Sequence, residues 1–212
     1  MLANPEELGF NPQDQKIWNN LFLNVPLDWK TAEATKDMKD CLQFFEMHNV
    51  KSVLDVGCGI GIWAMFLSKA GFEVKGYDFS SNAIKFASRW AAEYSVQIEY
   101  KCCPITGNPF PREKFDGVIA AKVLYNISKD ELEIAIAKIF KCLKDKDLLF
   151  CLFNPYMTPE EIKEKEKSDN PTKGITLTIY TDVELRNLFP RFKLLDFKVY
   201  EYGFRGLFLK KF

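Results

Sequence analysis

The sequence predicts an α/β protein with a doubly wound, mostly parallel seven-stranded sheet that ends in an antiparallel hairpin. From about Lys51 to Tyr156, short apolar runs alternate with segments of helical periodicity, which is typical of parallel strands joined by helices. The run LLFCLF is continuously apolar, as expected for a strand buried on both faces. Near the end of the chain, KLLDFKVY and GLFLKKF are separated only by EYGFR. That linker is too short for a helical crossover, so these two strands must be antiparallel.

The predicted strands and helices alternate in chain order before this hairpin. The third helix opens with a capping box, Ser128 with Glu131, and the helix before the hairpin is capped by Thr181 and Glu184. The five earlier strands are predicted at SVLDV, FEVKGYD, VQIEYK, FDGVIAA and LLFCLF, and the first two helices at GIWAMFLSKA and SSNAIKFASRWAAEY.

Two segments lie outside this alternation. Residues 1–50 are predicted to form an N-terminal helical cap, in which an aromatic-rich lead with Trp18 and Trp29 precedes one amphipathic helix. Residues 155–175, after the fifth strand, are a charged insert with a short helix of few apolar positions. Because such a helix buries little surface, we expect it to be exposed on the main domain, residues 51–212.

The composition argues against several kinds of partner. Lysine plus arginine equals aspartate plus glutamate, at 29 each, so the formal net charge is zero and gives no long-range attraction to nucleic acid or anionic lipid. The six cysteines include no CxxC pair, so no metal site is predicted. The N-terminus lacks the layout of a signal peptide, and no apolar run reaches the length of a membrane span. We therefore expect a soluble, cytoplasmic protein without a membrane partner.

A glycine loop follows the first strand in VLDVGCGIGIW. Its glycines have the spacing GxGxG, whereas a dinucleotide-binding turn has GxGxxG, and Ile62 stands where that turn needs its third glycine. Asp55, just before the loop, would repel a pyrophosphate but could accept hydrogen bonds from an ammonium group. The loop therefore favours a ligand other than a dinucleotide.

VLDVGCGIG resembles motif I, (D/E)xGxGxG, of the class I S-adenosylmethionine-dependent methyltransferases. The resemblance covers roughly Lys51 to Tyr156, and the terminal antiparallel hairpin is typical of the same superfamily. It implies a Rossmann-like fold and S-adenosyl-L-methionine as the cofactor. It also implies that Asp55 holds the ammonium group of the methionine part, and that the backbone approaches that part closely at Gly57, Gly59 and Gly61.

The resemblance extends to residues that hold the adenosine. Asp78, at the end of the second strand, is placed to bind both ribose hydroxyls; capping the next helix is the alternative role, but Ser80 can fill it. Phe79 corresponds to the apolar residue beside the adenine. Pro104 stands where the family often has an acid, so adenine recognition is assigned to the Ile105 backbone amide, the Cys103 region or water. Cys102 and Cys103 are interpreted as small pocket-lining residues, in preference to a thiol pair that captures a metalloid.

The chemistry of methyl transfer needs few catalytic groups. The only histidine, His48, precedes the first strand and so lies at the edge opposite the predicted site. Transfer from a sulfonium depends mainly on orientation and exclusion of water. Tyr125, after the fourth strand, is the candidate catalytic residue that contacts the substrate, with packing against the following helix as the alternative. Lys122 in the same loop is assigned to the cofactor site or to solvent, and Tyr156 is a further candidate.

These observations predict a methyltransferase that acts on a small-molecule acceptor by in-line displacement, with the N-terminal cap and the insert as lids. Three alternatives stay open: an RNA or protein methyltransferase, a non-catalytic S-adenosylmethionine-binding protein, and an NAD(P)-binding oxidoreductase. Nucleic acid is the less favoured partner because glutamates interleave with the lysines of the insert. The oligomeric state is left open.

Overall fold

A computed structural model describes residues 12–24, 33–107, 110–167 and 173–212. Seven strands form one sheet in the order β3-β2-β1-β4-β5-β7-β6. The predicted sheet, with its terminal antiparallel hairpin, is confirmed. The strands are β1 Ser52–Val56, β2 Glu73–Asp78, β3 Glu99–Cys102, β4 Phe115–Ala121, β5 Leu143–Phe153, β6 Phe192–Val199 and β7 Arg205–Lys211.

Seven α-helices accompany the sheet in the described part of the chain. None of these helices is long and apolar enough to cross a membrane. The predicted capping boxes open α5 and α7, with Ser128 and Thr181 as their N-caps. The helices are α1 Pro12–Leu21, α2 Lys36–Met47, α3 Ile62–Lys69, α4 Ser81–Glu93, α5 Lys129–Cys142, α6 Pro159–Lys167 and α7 Asp182–Asn187.

The sheet is parallel except at one strand. β1 pairs in parallel with β2 and with β4, so the chain changes direction across the sheet between these two neighbours of β1. β7 is antiparallel to both β5 and β6, which places β6 at the outer edge. Ligands of such sheets bind where the strand order reverses, beyond the carboxyl ends of the strands. The topology therefore points to the carboxyl ends of β1 and β4.

Alternating side chains of the strands build one apolar core on each face of the sheet. On one face, Leu54 and Val118 pack with α5 and α7. On the other face, Val53 and Ile119 pack with α2 and α3. Because β1 is buried on both faces, it is a rigid support for the glycine loop that follows it.

Two parts of the chain differ from the sequence prediction. β5 starts at Leu143, directly after α5, and not at Leu148, because residues 144–147 form an irregular stretch opposite Asp116 in which Lys144 pairs with that carboxylate at 2.5 Å. The aromatic lead contains a further helix, α1, which carries Trp18. Phe10 and Trp29 lie outside the described residues, and the division into a cap and a main domain stays a prediction.

Candidate functional site

A cavity of about 1070 Å³ lies at the carboxyl edge of the sheet, where the topology places a ligand. The glycine loop and the loop after β4 line it, together with residues of α1 and residues 173–177. All the predicted site residues except Gly61 and Tyr156 line this cavity, namely Asp55, Gly57, Gly59, Asp78, Phe79, Cys103, Ile105, Lys122 and Tyr125. The residues that sequence reasoning brought together are thus close in space.

The glycine loop has a backbone shape that other residues would strain. Gly57 has a φ of +69°, and a Cβ atom there would lie 2.7 Å from the Cβ of Val123. Its N–H donates to the Tyr77 carbonyl at 2.7 Å, which ties the loop to β2. Gly61 has a φ of +85° and faces the Tyr100 ring and Ala87, outside the cavity lining. The space that Gly61 leaves is therefore used by packing of α4 and β3.

Asp55, the residue before the last in β1, has a buried and incompletely paired carboxylate. The side chain is 1% exposed, and its Oδ2 atom has no hydrogen-bond partner among the described residues. Burial, with the charge of Asp78 added, raises the pKa of this carboxyl to about 7, although the Ala64 backbone N–H favours the ionised form. A buried carboxylate oxygen without a donor suits a ligand that carries an ammonium group.

Asp78 binds the backbone of two loops. Its Oδ2 accepts from the Gly59 N–H at 2.9 Å and its Oδ1 from the Ser80 N–H at 2.8 Å. Burial raises the pKa of this carboxyl to about 6 despite these donors. Ser80 caps α4 through the Ala83 N–H, as predicted. Each carboxylate oxygen of Asp78 has a further lone pair, which can accept from a hydroxyl of a ligand.

The adenine end predicted by the resemblance has few polar groups. Cys103 is 3% exposed, and its N–H donates to the Asp78 carbonyl at 2.8 Å. Pro104 and Ile105 are buried beside it and line the cavity. Burial raises the pKa of both Cys102 and Cys103, which keeps them as thiols. Cys103 lines the cavity, whereas Cys102 is exposed and lies outside the lining, so the interpretation as a pocket-lining residue fits Cys103 alone.

The loop after β4 contributes an aromatic hydroxyl. Tyr125 lines the cavity, and its ring centre lies 6.4 Å from that of Phe153 on β5, so its contact with a substrate stays a prediction. Burial raises the pKa of Tyr125 to about 12, so the residue is a neutral hydrogen-bonding group near pH 7. The ammonium group of Lys122 lies 4.4 Å from the centre of the Phe204 ring, a residue outside the cavity lining.

The remaining candidates lie elsewhere or have two roles. Tyr156 is half exposed and does not line the cavity. His48 bonds the Phe44 carbonyl through Nδ1 before β1, at the opposite edge of the sheet as predicted. Trp63 packs against Phe150, as expected for a core residue, and additionally lines the cavity.

Sequence reasoning missed the contacts that α1 makes with the site. Gln15 donates to the Phe79 carbonyl at 2.9 Å, and Asn19 accepts from the Ser80 hydroxyl at 2.7 Å. Asn82 donates to the Asn19 carbonyl at 2.9 Å. Gln15 and Asn19 are four residues apart, so their side-chain amides lie on one face of α1. This spacing was the sequence feature that could have indicated the contact. Through these bonds α1 covers the loop that follows β2.

The cavity also holds a buried carboxylate that the sequence did not reveal. Asp14 on α1 is 7% exposed and accepts from the Thr176 hydroxyl at 2.9 Å. Residues 173–177 are joined to the β4 loop, since the Thr178 N–H donates to the Tyr125 carbonyl at 2.8 Å. Across the described ranges, no group of three or more His, Cys, Asp or Glu side chains could hold a metal ion.

Comparison with known proteins shows which family this chain resembles. A family model described as a methyltransferase domain matches residues 53–146. A Geobacillus sp. (strain WCH70) protein named as a methyltransferase is 29% identical over 147 residues, 66% of this chain and 56% of that protein. Phosphoethanolamine N-methyltransferase of Plasmodium falciparum is 27% identical over 183 residues, 84% of this chain and 67% of that enzyme. The chain thus spans between about half and two thirds of these relatives' lengths.

A solved structure confirms the fold. Magnesium protoporphyrin IX methyltransferase from Synechocystis PCC 6803, determined with bound SAH, superposes with a TM-score of 0.68 at 18% identity, covering 96% of each chain. The family match covers the glycine loop, Asp55 and Asp78, and the structural match includes the antiparallel hairpin. Residues 53–146 therefore match the methyltransferase-domain family, and the chain shares the fold of the class I S-adenosylmethionine-dependent methyltransferases, whose cofactor is S-adenosylmethionine.

Proposed function

We propose that the protein transfers the methyl group of S-adenosylmethionine to a small-molecule acceptor. The observation that carries this proposal is the pair of buried carboxylates, Asp55 and Asp78, at the glycine loop of a large cavity. The Oδ2 atom of Asp55 has no donor within the described protein, and a cationic ligand supplies one. A dinucleotide would instead bring a pyrophosphate towards two carboxylates, which Coulomb repulsion disfavours.

Different residues of the cavity bind different parts of S-adenosylmethionine. Asp55 accepts from its ammonium group, and Asp78 accepts from its ribose hydroxyls. Phe79, Cys103 and Ile105 supply apolar surface for the adenine. When bound, S-adenosylmethionine supplies an electrophilic methyl group on a positively charged sulfur, which leaves as a neutral thioether.

The protein's own contribution is orientation and exclusion of water. α1 is bonded across the loop after β2, so it shields the cavity from solvent. Tyr125 stays protonated at neutral pH, because its pKa is about 12, and can orient an acceptor by a hydrogen bond. The only histidine is at the far edge, so a histidine base is not part of the proposed mechanism. Holding two reactants close together in a good orientation can lower the activation barrier of such a transfer by about 7 to 11 kcal/mol.

A small acceptor is favoured by the size of the cavity and by the relatives. A volume of about 1070 Å³, lined in part by α1 and residues 173–177, is that of a small-molecule site. The Plasmodium relative is named for phosphoethanolamine and the Synechocystis structure for a porphyrin, both small molecules.

Transfer of an isotope-labelled methyl group tests this function. Labelled S-adenosylmethionine is incubated with the protein and, separately, with the small-molecule, RNA and protein fractions of a cell extract. We expect label in the small-molecule fraction with wild type and with Asp130→Asn, a control at an exposed site outside the cavity, and none with Asp78→Ala. Label confined to RNA or protein would favour a macromolecular acceptor. Binding of the donor without any transfer would favour a non-catalytic binding protein.

A further inference from the structure

Asp14 is a buried carboxylate in the cavity that the methyl donor does not need. Its Oδ2 accepts from the Thr176 hydroxyl at 2.9 Å, whereas its Oδ1 is buried and has no hydrogen-bond partner in the described part of the chain. The residue is 7% exposed and lines the cavity. An unsatisfied buried carboxylate oxygen costs free energy, so a donor from a ligand would stabilise it.

The position of Asp14 assigns it to the acceptor side. Asp14 lies on α1 and its partner Thr176 lies after the insert, whereas Asp55 lies near the end of β1 and Asp78 ends β2. Backbone and side-chain bonds of Thr178 to Tyr125 and Ile127 tie the Thr176 segment to the β4 loop. Asp14 is thus connected through Thr176 to the loop of the candidate substrate-contacting tyrosine.

The charges around the cavity favour a cationic acceptor. Among the described residues, six carboxylates line the cavity, against the two lysines Lys122 and Lys173. The ammonium of Lys122 is directed to the Phe204 ring outside the lining. An acceptor with a phosphate or carboxylate would meet an excess of negative charge, while an ammonium group would be attracted.

The rest of the acceptor side is apolar and aromatic. Trp18 is four residues after Asp14 in α1, so the two side chains share one face of the helix, and both line the cavity. An indole ring beside a carboxylate can bind an ammonium group by a cation–π contact. Apolar surface is added by Met38, Ile127, Ile162, Ile175 and Leu177.

We propose that the acceptor is a small amine with an apolar body, whose protonated amino group binds by donating to Oδ1 of Asp14. Before transfer, that group loses one proton to the Asp14 carboxylate. The nitrogen lone pair then forms the bond to the methyl carbon as the bond from that carbon to sulfur breaks, and the sulfur leaves as a neutral thioether. Thr176 is a positioning residue that fixes the carboxylate through Oδ2, and Trp18 contacts the charged group. The proposal rests on the proposed function, because it assigns the acceptor side of the same cavity.

Calorimetry on the protein saturated with S-adenosylhomocysteine tests this assignment. Phenethylamine, tryptamine and hexylamine are titrated, each beside its neutral alcohol, with 3-phenylpropionate and 2-phenylethyl phosphate as anionic probes. We expect at least one amine to bind about tenfold or more tightly than its alcohol and than either anionic probe. Asp14→Asn should remove that preference, and Thr176→Val should reduce it. S-adenosylhomocysteine should bind both variants and the exposed-site control Asp130→Asn within about threefold of wild type.

Several results would overturn the assignment. Equal binding of amines and alcohols, or preference for an anionic probe, would reject an amine acceptor. An amine preference that survives in Asp14→Asn would reject Asp14 as the recognition residue. If Asp14→Asn no longer binds S-adenosylhomocysteine, its fold is disturbed and Thr176→Val, which keeps the carboxylate, is the deciding variant. A reduced amine preference in Thr176→Val would then support the assignment, and an unchanged preference would reject it. Failure of wild type to bind S-adenosylhomocysteine appears in the first titration and rejects the proposed function itself, and the amine assignment with it.

Discussion

Asp55 and Asp78 place two buried carboxylates within electrostatic reach of each other, and neither forms an ion pair with a described cation. Such an arrangement disfavours the folded protein when both groups are charged, because burial removes their hydration and like charges repel. A ligand with an ammonium group relieves this penalty. At the residue scale, the two carboxylates therefore lower the stability of the ligand-free protein and raise its affinity for a ligand with an ammonium group.

Replacing Asp55 with asparagine should separate these two effects. The neutral amide keeps the size of the side chain but removes the buried charge, so the free energy of unfolding without ligand should rise by about 1 to 3 kcal/mol at pH 8. The affinity for S-adenosylmethionine should fall by about 100-fold or more, because an ionic hydrogen bond is lost. Urea unfolding and calorimetry measure the two quantities. A variant that binds like wild type would remove Asp55 from the proposed site.

The raised pKa values of Asp55, about 7, and Asp78, about 6, give the cofactor site a pH dependence. Both carboxyls bind protons more readily in the folded chain than in the unfolded one, so ligand-free stability should fall as pH rises from about 4 through 7. Binding of a cationic ligand favours the ionised forms, so affinity should instead rise over pH 5 to 8, with proton release. Calorimetry in buffers of different ionisation enthalpy measures that release. Affinity that is constant over this range would contradict the expectation.

Gly61 offers a matched test of packing beside the loop. Gly61→Ala adds a Cβ in a left-handed conformation and against Ala87, so it should cost about 2 to 4 kcal/mol of unfolding free energy. Gly71 has a φ of +96° with no atom within 4 Å, so Gly71→Ala carries only the conformational cost, about 1 to 2 kcal/mol. Urea unfolding compares the two, and equal losses would show that packing at Gly61 contributes nothing.

At the scale of elements, α1 is held over the site by polar contacts more than by an apolar core. Asn19 alone joins the Ser80 hydroxyl and the Asn82 side chain. Few apolar contacts and several exchangeable hydrogen bonds are typical of segments that open at low free-energy cost. Opening of α1 would give ligands a route into the cavity.

Asn19→Ala should loosen this cover without disturbing the sheet. We expect dissociation of S-adenosylhomocysteine to become about 5 to 10 times faster, since one to two hydrogen bonds across the site are lost. Asn20→Ala, at the exposed neighbouring position of the same helix, is the control and should behave like wild type. Stopped-flow dissociation measures the rates. The same rate in both variants would mean that α1 does not hold the ligand in.

The parts of the fold and of the site that could be predicted are those that depend on residues close together in the sequence. The glycine loop, Asp55 and the capping boxes depend on residues within a few positions of one another, so their spacing carries the information. Asp14 and Asn19 depend on partners 162 and 61 residues away, which no local pattern encodes. The start of β5 was predicted too late because the charged residues 144–147 are typical of a turn. In the structure, Lys144 pairs with Asp116 and Asp145 pairs with Lys211.

At the scale of the whole molecule, the sheet brings the ends of β1, β2 and β4 to one edge, where α1 and residues 173–177 also line the cavity. The loop after β1, the acid at the end of β2, the tyrosine after β4 and α1 each contribute one part of that lining. The topology explains why residues from position 14 to position 177 line a single cavity.

Calorimetric titration of wild type and Asp78→Ala with S-adenosylmethionine, S-adenosylhomocysteine and NAD tests the central claim most directly. We predict that wild type binds the first two with Kd values on the order of micromolar, that Asp78→Ala weakens both by about 30-fold or more, and that NAD gives no binding heat. Binding of NAD in place of the two sulfur ligands, or equal binding of those ligands by Asp78→Ala, would contradict it.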